Sequence, residues 1–165
     1  MSVKPTPSLK PRYATPRNLA RPTDGGKEAR IAEALGTPFL PWQRMVSDVF
    51  GEIDPDTGTY YYDTLVLTVQ RQAGKTTRER ATETRNALWG PNRRVWYLAQ
   101  TGKDASQQFR EYITGFDKSP LAPLAASKRM SNGSMCLTLK NGSTIQPGGT
   151  TDSGGHGFQG DSLTL

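Results

Sequence analysis

The sequence has one cysteine, Cys136, and one histidine, His156. A lone thiol forms no internal disulfide, and a lone imidazole with no cysteine near it makes a poor zinc site, so a disulfide scaffold and a cysteine-based metal centre are both excluded. His156 reads as a loop histidine, and a reducing cytoplasm is the natural setting. No apolar run approaches the roughly 18 residues that a membrane span requires, and the N-terminus lacks the apolar core of a signal peptide. The expectation is a soluble protein without a membrane partner.

The chain has 165 residues, of which 34% are hydrophobic, with 17 glycines and 12 prolines. That size suits one loop-rich domain with a moderate core. The net charge is +6 and unevenly spread: residues 1–30 hold seven basic side chains against Asp24 and Glu28, and so carry five of the six excess charges. Pro5, Pro7, Pro11, Pro16 and Pro22 lie in the same stretch, ahead of Gly25-Gly26. Residues 1–27 therefore read as a basic, proline-rich disordered arm, and residues 28–165 as the folded domain. Such an arm either touches DNA phosphates or a partner protein, or is a solvated leader.

The chain is organised around Leu65-Val66-Leu67-Thr68-Val69-Gln70-Arg71-Gln72-Ala73-Gly74-Lys75-Thr76-Thr77. An apolar, β-branched run stops at a polar loop, the loop ends in Gly-Lys-Thr, and the helix-favouring sequence from Arg78 to Thr84 follows at once. Strand, phosphate loop, helix is the order that nucleotide chemistry requires. Loop and helix N-terminal amides face a polyphosphate, Lys75 adds a mobile positive charge on its β- and γ-oxygens, and the Thr76 hydroxyl completes a magnesium shell. Gly74 lets the chain approach the phosphates without a side chain in the way. The fit to G-x-x-x-x-G-K-[ST] is incomplete, because Val69 stands where the first glycine belongs.

Elsewhere the patterning predicts a short helix over residues 28–35 and a second from Pro41, whose apolar face of Trp42, Met45, Val46, Val49 and Phe50 is assigned to the core. Gln43 falls off that stripe. Its carboxamide has the geometry to pair with both N6 and N7 of an adenine; the competing reading is a surface glutamine. Asp54 and Asp56 serve a turn rather than a metal. Helix 77–89, strand 93–100 and a helix opened by Thr101-Gly102-Lys103-Asp104 continue the chain. Residues 134–140 and 143–146 flank Asn141-Gly142 as a hairpin, and a glycine-rich, irregular run spans residues 148–160. Strand-helix alternation implies an α/β fold whose parallel sheet is covered by helices on both faces and interrupted by the hairpin. Ligands bind such sheets beyond the carboxyl ends of the strands, where residues 70–76 and 100–104 both fall. Thr101 and Lys103 are thus candidates for contacting nucleic acid or sensing nucleotide state, against the simpler reading of a solvated loop.

Gln70-Arg71-Gln72-Ala73-Gly74-Lys75-Thr76-Thr77 resembles the variant phosphate loop of bacteriophage large terminase subunits, the ATPases that pump viral DNA into a preformed capsid. In that family an Arg-Gln-x-Gly-Lys-Thr core replaces the glycine-first form. Pro41-Trp42-Gln43-Arg44 is similar to the family's adenine-contacting motif, and Val95-Trp96-Tyr97-Leu98-Ala99-Gln100-Thr101 to the strand and loop after the phosphate-loop helix. Asn141-Gly142-Ser143-Thr144-Ile145 and the run ending in Gly160 resemble the segments before the second nucleotide motif, so the likeness spans roughly residues 38–165. It implies a P-loop NTPase-like sheet that binds ATP and Mg2+. Gln43 would contact adenine, and residues Gln70, Arg71, Gln72, Ala73, Gly74, Lys75, Thr76 and Thr77 would hold the nucleotide. Thr76 would serve as magnesium ligand, and Arg71 as the catalytic group that meets charge developing on the γ-phosphate. The partners implied are double-stranded viral DNA, the portal, the small terminase subunit and, in the complete protein, a homo-oligomeric ring, in the cytoplasm of an infected host cell.

One departure limits the activity expected. A hydrolysing P-loop enzyme carries an acidic residue at the end of a second apolar strand to hold magnesium, and in this family a neighbouring glutamate positions the attacking water. Ser162-Leu163-Thr164-Leu165 begins such a strand, but no Asp-Glu pair follows four apolar residues anywhere in the sequence. Glu79 and Glu83 read as solvent-facing partners of Arg80 and Arg78. The expectation is an incomplete ATPase domain without the family's nuclease, with weak nucleotide binding and no hydrolysis by the chain alone. A P-loop helicase or translocase, and a non-enzymatic remnant binding nucleic acid or a capsid partner, are the rival readings.

Overall fold

The computed structural model describes residues 11–150 and 160–164. Its centre is a five-stranded mixed sheet of order β2-β3-β4-β1-β5, with β1 at Arg94–Ala99, β2 at Ala125–Arg129, β3 at Cys136–Leu139, β4 at Thr144–Gly149 and β5 at Ser162–Thr164. Strand β1 pairs in parallel with β4 on one side, Val95 opposite Ile145, and with β5 on the other, Trp96 opposite Leu163. Strands β2 and β3 are antiparallel additions beyond β4. The fold is therefore α/β and the hairpin at Asn141-Gly142 is present. The sheet is mixed and open, and β2 is a strand that the sequence pattern did not single out.

Four α-helices accompany it: α1 Gly25–Ala34, α2 Pro41–Phe50, α3 Lys75–Leu88 and α4 Gly102–Asp117. The core lies where α3 and α4 meet one face of the sheet. Ala87 of α3 and Phe109, Tyr112, Ile113 and Phe116 of α4 pack on Val95, Leu137, Leu139 and Ile145. The two helices also touch directly, since the Thr84 and Tyr112 hydroxyls share a hydrogen bond of 2.9 Å. Both thus cover the same face. Because side chains alternate across a strand, Trp96 and its neighbour Leu163 point away from that core.

Helices α1 and α2 form a second layer behind α3. The interface of α1 with α3 is ionic: Asp24, just before α1, pairs with Arg85, and Glu28 accepts from Thr82 and pairs with Arg78 at 3.6 Å. Helix α1 starts at Gly25 because α2 runs so close that a Cβ there would meet the amide nitrogen of Asp48 at 2.6 Å. The apolar stripe of α2 is not the core it was expected to be. Trp42, Met45, Val46, Val49 and Phe50 are only half-buried, and the buried residues of this helix are Gln43 and Ser47.

The last part of the basic segment is tied down. The fully buried carboxylate of Glu52 accepts from the amide of Asn18 at 2.7 Å and from Arg21 at 3.0 Å, and pairs with Arg17 at 3.0 Å. Thr23 forms an antiparallel bridge with Glu52. Two of the cations read as part of an arm are thus spent on an internal anion. No helix among the described residues is long and apolar enough to cross a membrane.

Candidate phosphate-binding site

The strand expected before the phosphate loop is not part of the sheet. Residues 64–70 have no strand partner, although their burial alternates: Leu65, Leu67 and Val69 are half-buried, while Val66 between them is 86% exposed. The alternation that predicted a strand did set which side chains turn inward. Pairing additionally needs a neighbouring edge in register, which a local pattern cannot supply.

The loop itself turns left-handed just before α3. Gln72 adopts φ 62° and Gly74 φ 93°, and α3 begins at Lys75 directly after that left-handed glycine. The first turn of a helix has no internal acceptors for its amides, so those of Lys75, Thr76 and Thr77 are open donors at the positive end of the helix dipole. The other end of α3 is fixed by Asn141, whose Nδ2 donates to the carbonyls of Ala87 and Gly90 at 2.9 and 3.0 Å, beside the start of β1. Fourteen residues at about 1.5 Å each then carry the helix roughly 20 Å along the sheet, which puts Lys75 toward the edge where β1, β4 and β5 end. Helix α4 starts at that edge too, capped by the Thr101 hydroxyl, which accepts from the Asp104 amide at 3.1 Å and donates to the Asp104 carboxylate at 2.8 Å. Thr101 is thereby occupied as a cap, and Lys103 beside it is exposed.

Gln70, Arg71 and Gln72 are exposed on the loop, and Ala73, Thr76 and Thr77 are half-buried around it. Gln43 is 1% exposed and fully engaged: its Oε1 accepts from the Leu40 amide at 2.6 Å, capping α2, and its Nε2 donates to the Gly74 carbonyl at 2.7 Å. It is therefore not a surface glutamine, and its carboxamide is not presented to a purine in this arrangement. It clasps the loop at Gly74. A capping glutamine three residues after a helix start is a readable signal, whereas its reach to Gly74, 31 residues away, is not.

Beneath the loop lies an acidic pair, Glu79 and Glu83, buried where the sequence pattern predicts a solvated face. Glu79 is 8% and Glu83 3% exposed, one turn apart on the sheet side of α3. Glu83 sits in a small recess walled by Thr76, Arg80, Tyr97, Gln108 and Tyr112. Burial, reinforced by the neighbouring Glu79, pushes its carboxyl up to about 8, against the pull of Arg80 and a hydrogen bond with Thr164 of β5. Burial also raises Glu79, although Lys75, whose Nζ is 3.5 Å away, opposes the shift. Across the recess Tyr97 donates to Gln108 Oε1 at 2.5 Å, and burial together with the two glutamates pushes its phenol up to about 12. Arg80 and Arg78, the assigned partners, look elsewhere: Arg80 to Glu111 at 3.2 Å and Arg78 to Glu28.

A magnesium ion would find one oxygen ligand at the loop, the Thr76 hydroxyl; among the described residues no group of three or more His, Cys, Asp or Glu side chains is placed to hold a metal. His156 and most of the glycine-rich run lie outside the described residues. No protein-family model, no curated protein and no solved structure matches the chain.

Proposed function

We propose that this chain is the ATP-binding portion of a DNA-packaging motor of the large terminase type. The observation that carries the reading is the left-handed Gly74 opening α3, with three unsatisfied amides, an ammonium and a hydroxyl at the carboxyl edge of a sheet. That combination suits a triphosphate tail: the amides take the phosphate oxygens, Lys75 neutralises the β- and γ-groups, and Thr76 offers its hydroxyl to the magnesium ion that accompanies ATP. Magnesium binds through few protein ligands when phosphates supply the others, so one hydroxyl fits the ion without creating a site of its own. Arg71, exposed and close to the loop, is the group free to meet charge on a γ-phosphate. The activity assigned to the chain alone is binding; the motor, its double-stranded DNA, portal and small-subunit partners, and a ring of subunits belong to the complete machine.

Equilibrium binding of ATP in the presence of magnesium tests this directly. Replacing Lys75 with alanine removes a charge-assisted contact of about 1.5–3 kcal/mol, so affinity should fall roughly ten- to a hundredfold. Equal binding by the two proteins, or none by either, rejects the phosphate-loop reading and favours a chain that meets nucleic acid or a capsid partner through its basic segment.

A further inference from the structure

The loop lysine already has an anion. Lys75 Nζ lies 3.5 Å from Glu79 Oε1, so the ammonium folds back along its own helix. Exposed pairs at this spacing contribute little. This one is asymmetric, because the Lys75 side chain is 48% exposed while that of Glu79 is 11% exposed. A buried carboxylate depends on its counter-ion far more than an exposed one does.

Lys75 exerts the largest opposing pull on Glu79, ahead of Arg78 and Arg80, whose own ion pairs are with Glu28 and Glu111. Below Glu79 stands Glu83, whose Oε1 has no hydrogen-bond partner. Tyr97 of β1, Thr164 of β5 and Tyr112 of α4 face the two acids and bring no positive charge. A polyphosphate entering the loop must draw the ammonium off Glu79 and leave that carboxylate beside a second buried acid.

We propose that Glu79 competes with the triphosphate for Lys75 and so sets the affinity of the loop, holding the lysine back along α3 until a stronger anion arrives. The inference rests on the reading of residues 70–77 as a phosphate loop and adds to it a residue that no phosphate-loop pattern contains.

The test is ATP affinity, with magnesium, of the full chain and four variants. Glu79→Gln keeps the shape and frees the lysine, so binding should tighten about three- to tenfold. Glu79→Asp keeps the charge but shortens its reach and should give a smaller gain. Glu111→Gln, which removes the same charge from an exposed position on α4, should leave affinity within about twofold. Lys75→Ala should lose binding. Thermal melting of each variant establishes that it is folded, and Glu79→Asp carries the test should Glu79→Gln not be. Lys75-dependent binding that is unchanged or weaker in the Glu79 variants overturns the competition and leaves the phosphate loop standing. An equal gain in Glu111→Gln overturns it as well, because the effect would then be general charge. Binding indifferent to Lys75 removes both readings together.

Discussion

Gln43 donates from Nε2 to the carbonyl of Gly74 at 2.7 Å, joining the first turn of α2 to the residue that opens α3. The same carboxamide caps α2 by accepting from the Leu40 amide. One side chain thus closes a helix start and fixes the bend of the loop. A Cβ on Gly74 would lie 3.0 Å from Gln43 Nε2, so the two positions constrain each other sterically as well as by hydrogen bonding.

Replacing Gln43 with leucine should lower stability by about 2 kcal/mol or more. The substitution keeps the volume but leaves a backbone donor at Leu40 and a backbone acceptor at Gly74 without their partner, and each such loss in a buried setting costs about 1–3 kcal/mol. Urea unfolding measures it. A loss below about 0.5 kcal/mol would mean that water or a neighbour replaces the clasp.

Gly74→Ala should be destabilising for a different reason. The glycine sits at φ 93°, where an L side chain costs on the order of 1–2 kcal/mol, and the added methyl would push on Gln43. The expected result is a lower melting temperature together with weaker nucleotide binding. Unchanged melting with an unchanged loop would refute the strain.

The elements most legible in the sequence were those whose pattern is local. Thr101 followed three residues later by Asp104 announced the start of α4, and Asn141-Gly142 announced the turn between β3 and β4. What escaped reading depends on partners distant in the chain. Helix α3 buries Arg78, Glu79, Glu83, Thr84 and Arg85, an inversion of the usual stripe that hydrophobic periodicity scores as a solvated face. Those charges are tolerated because Glu28 and Asp24, some 50 to 61 positions earlier, lie against two of them. The segment 64–70 failed in the opposite sense, since its alternation is real but its partner is not encoded beside it. For the site, the Gly-Lys-Thr bend was readable and the buried acids beneath it were not.

The ionic seam between α1 and α3 makes a prediction of its own. Arg85 lies against both Tyr60 and Trp89, with its guanidinium carbon 4.0 and 4.3 Å from ring centroids that are themselves 4.9 Å apart, and it bonds to Asp24, which also accepts from the Tyr60 hydroxyl at 3.0 Å. Asp24→Ala strands a buried guanidinium and should cost about 3 kcal/mol or more. Adding Arg85→Met should return part of that loss, because the uncompensated charge goes with it. Equal losses in the single and double variants would show that packing against the rings, not the charge, matters most.

Glu52 offers a kinetic readout. It gathers Arg17, Asn18 and Arg21, while Arg21 also lies over the Tyr61 ring, so Glu52→Ala should loosen that stretch and expose it to protease. Trypsin should then cut after Arg17 several times faster than in the unaltered chain, while cleavage in α4, after Arg110, keeps its rate. Parallel acceleration at both places would indicate global loosening instead.

Glu83 should leave its mark on the pH dependence of stability. Its carboxyl rises from an ordinary 4.5 to about 8 in the fold, chiefly through burial. Between those values the folded state holds a proton that the unfolded chain has released, so stability falls as pH rises through this window and levels off above about pH 8. Glu83→Gln cannot ionise. It should match the parent near pH 5 and exceed it by an amount on the order of a few kcal/mol at pH 9. Urea midpoints taken from pH 5 to 9 distinguish the outcomes: curves that diverge toward alkaline pH support a neutral, buried acid beneath the Gly74 bend, whereas parallel curves would mean that Arg80 or admitted water keeps Glu83 charged throughout.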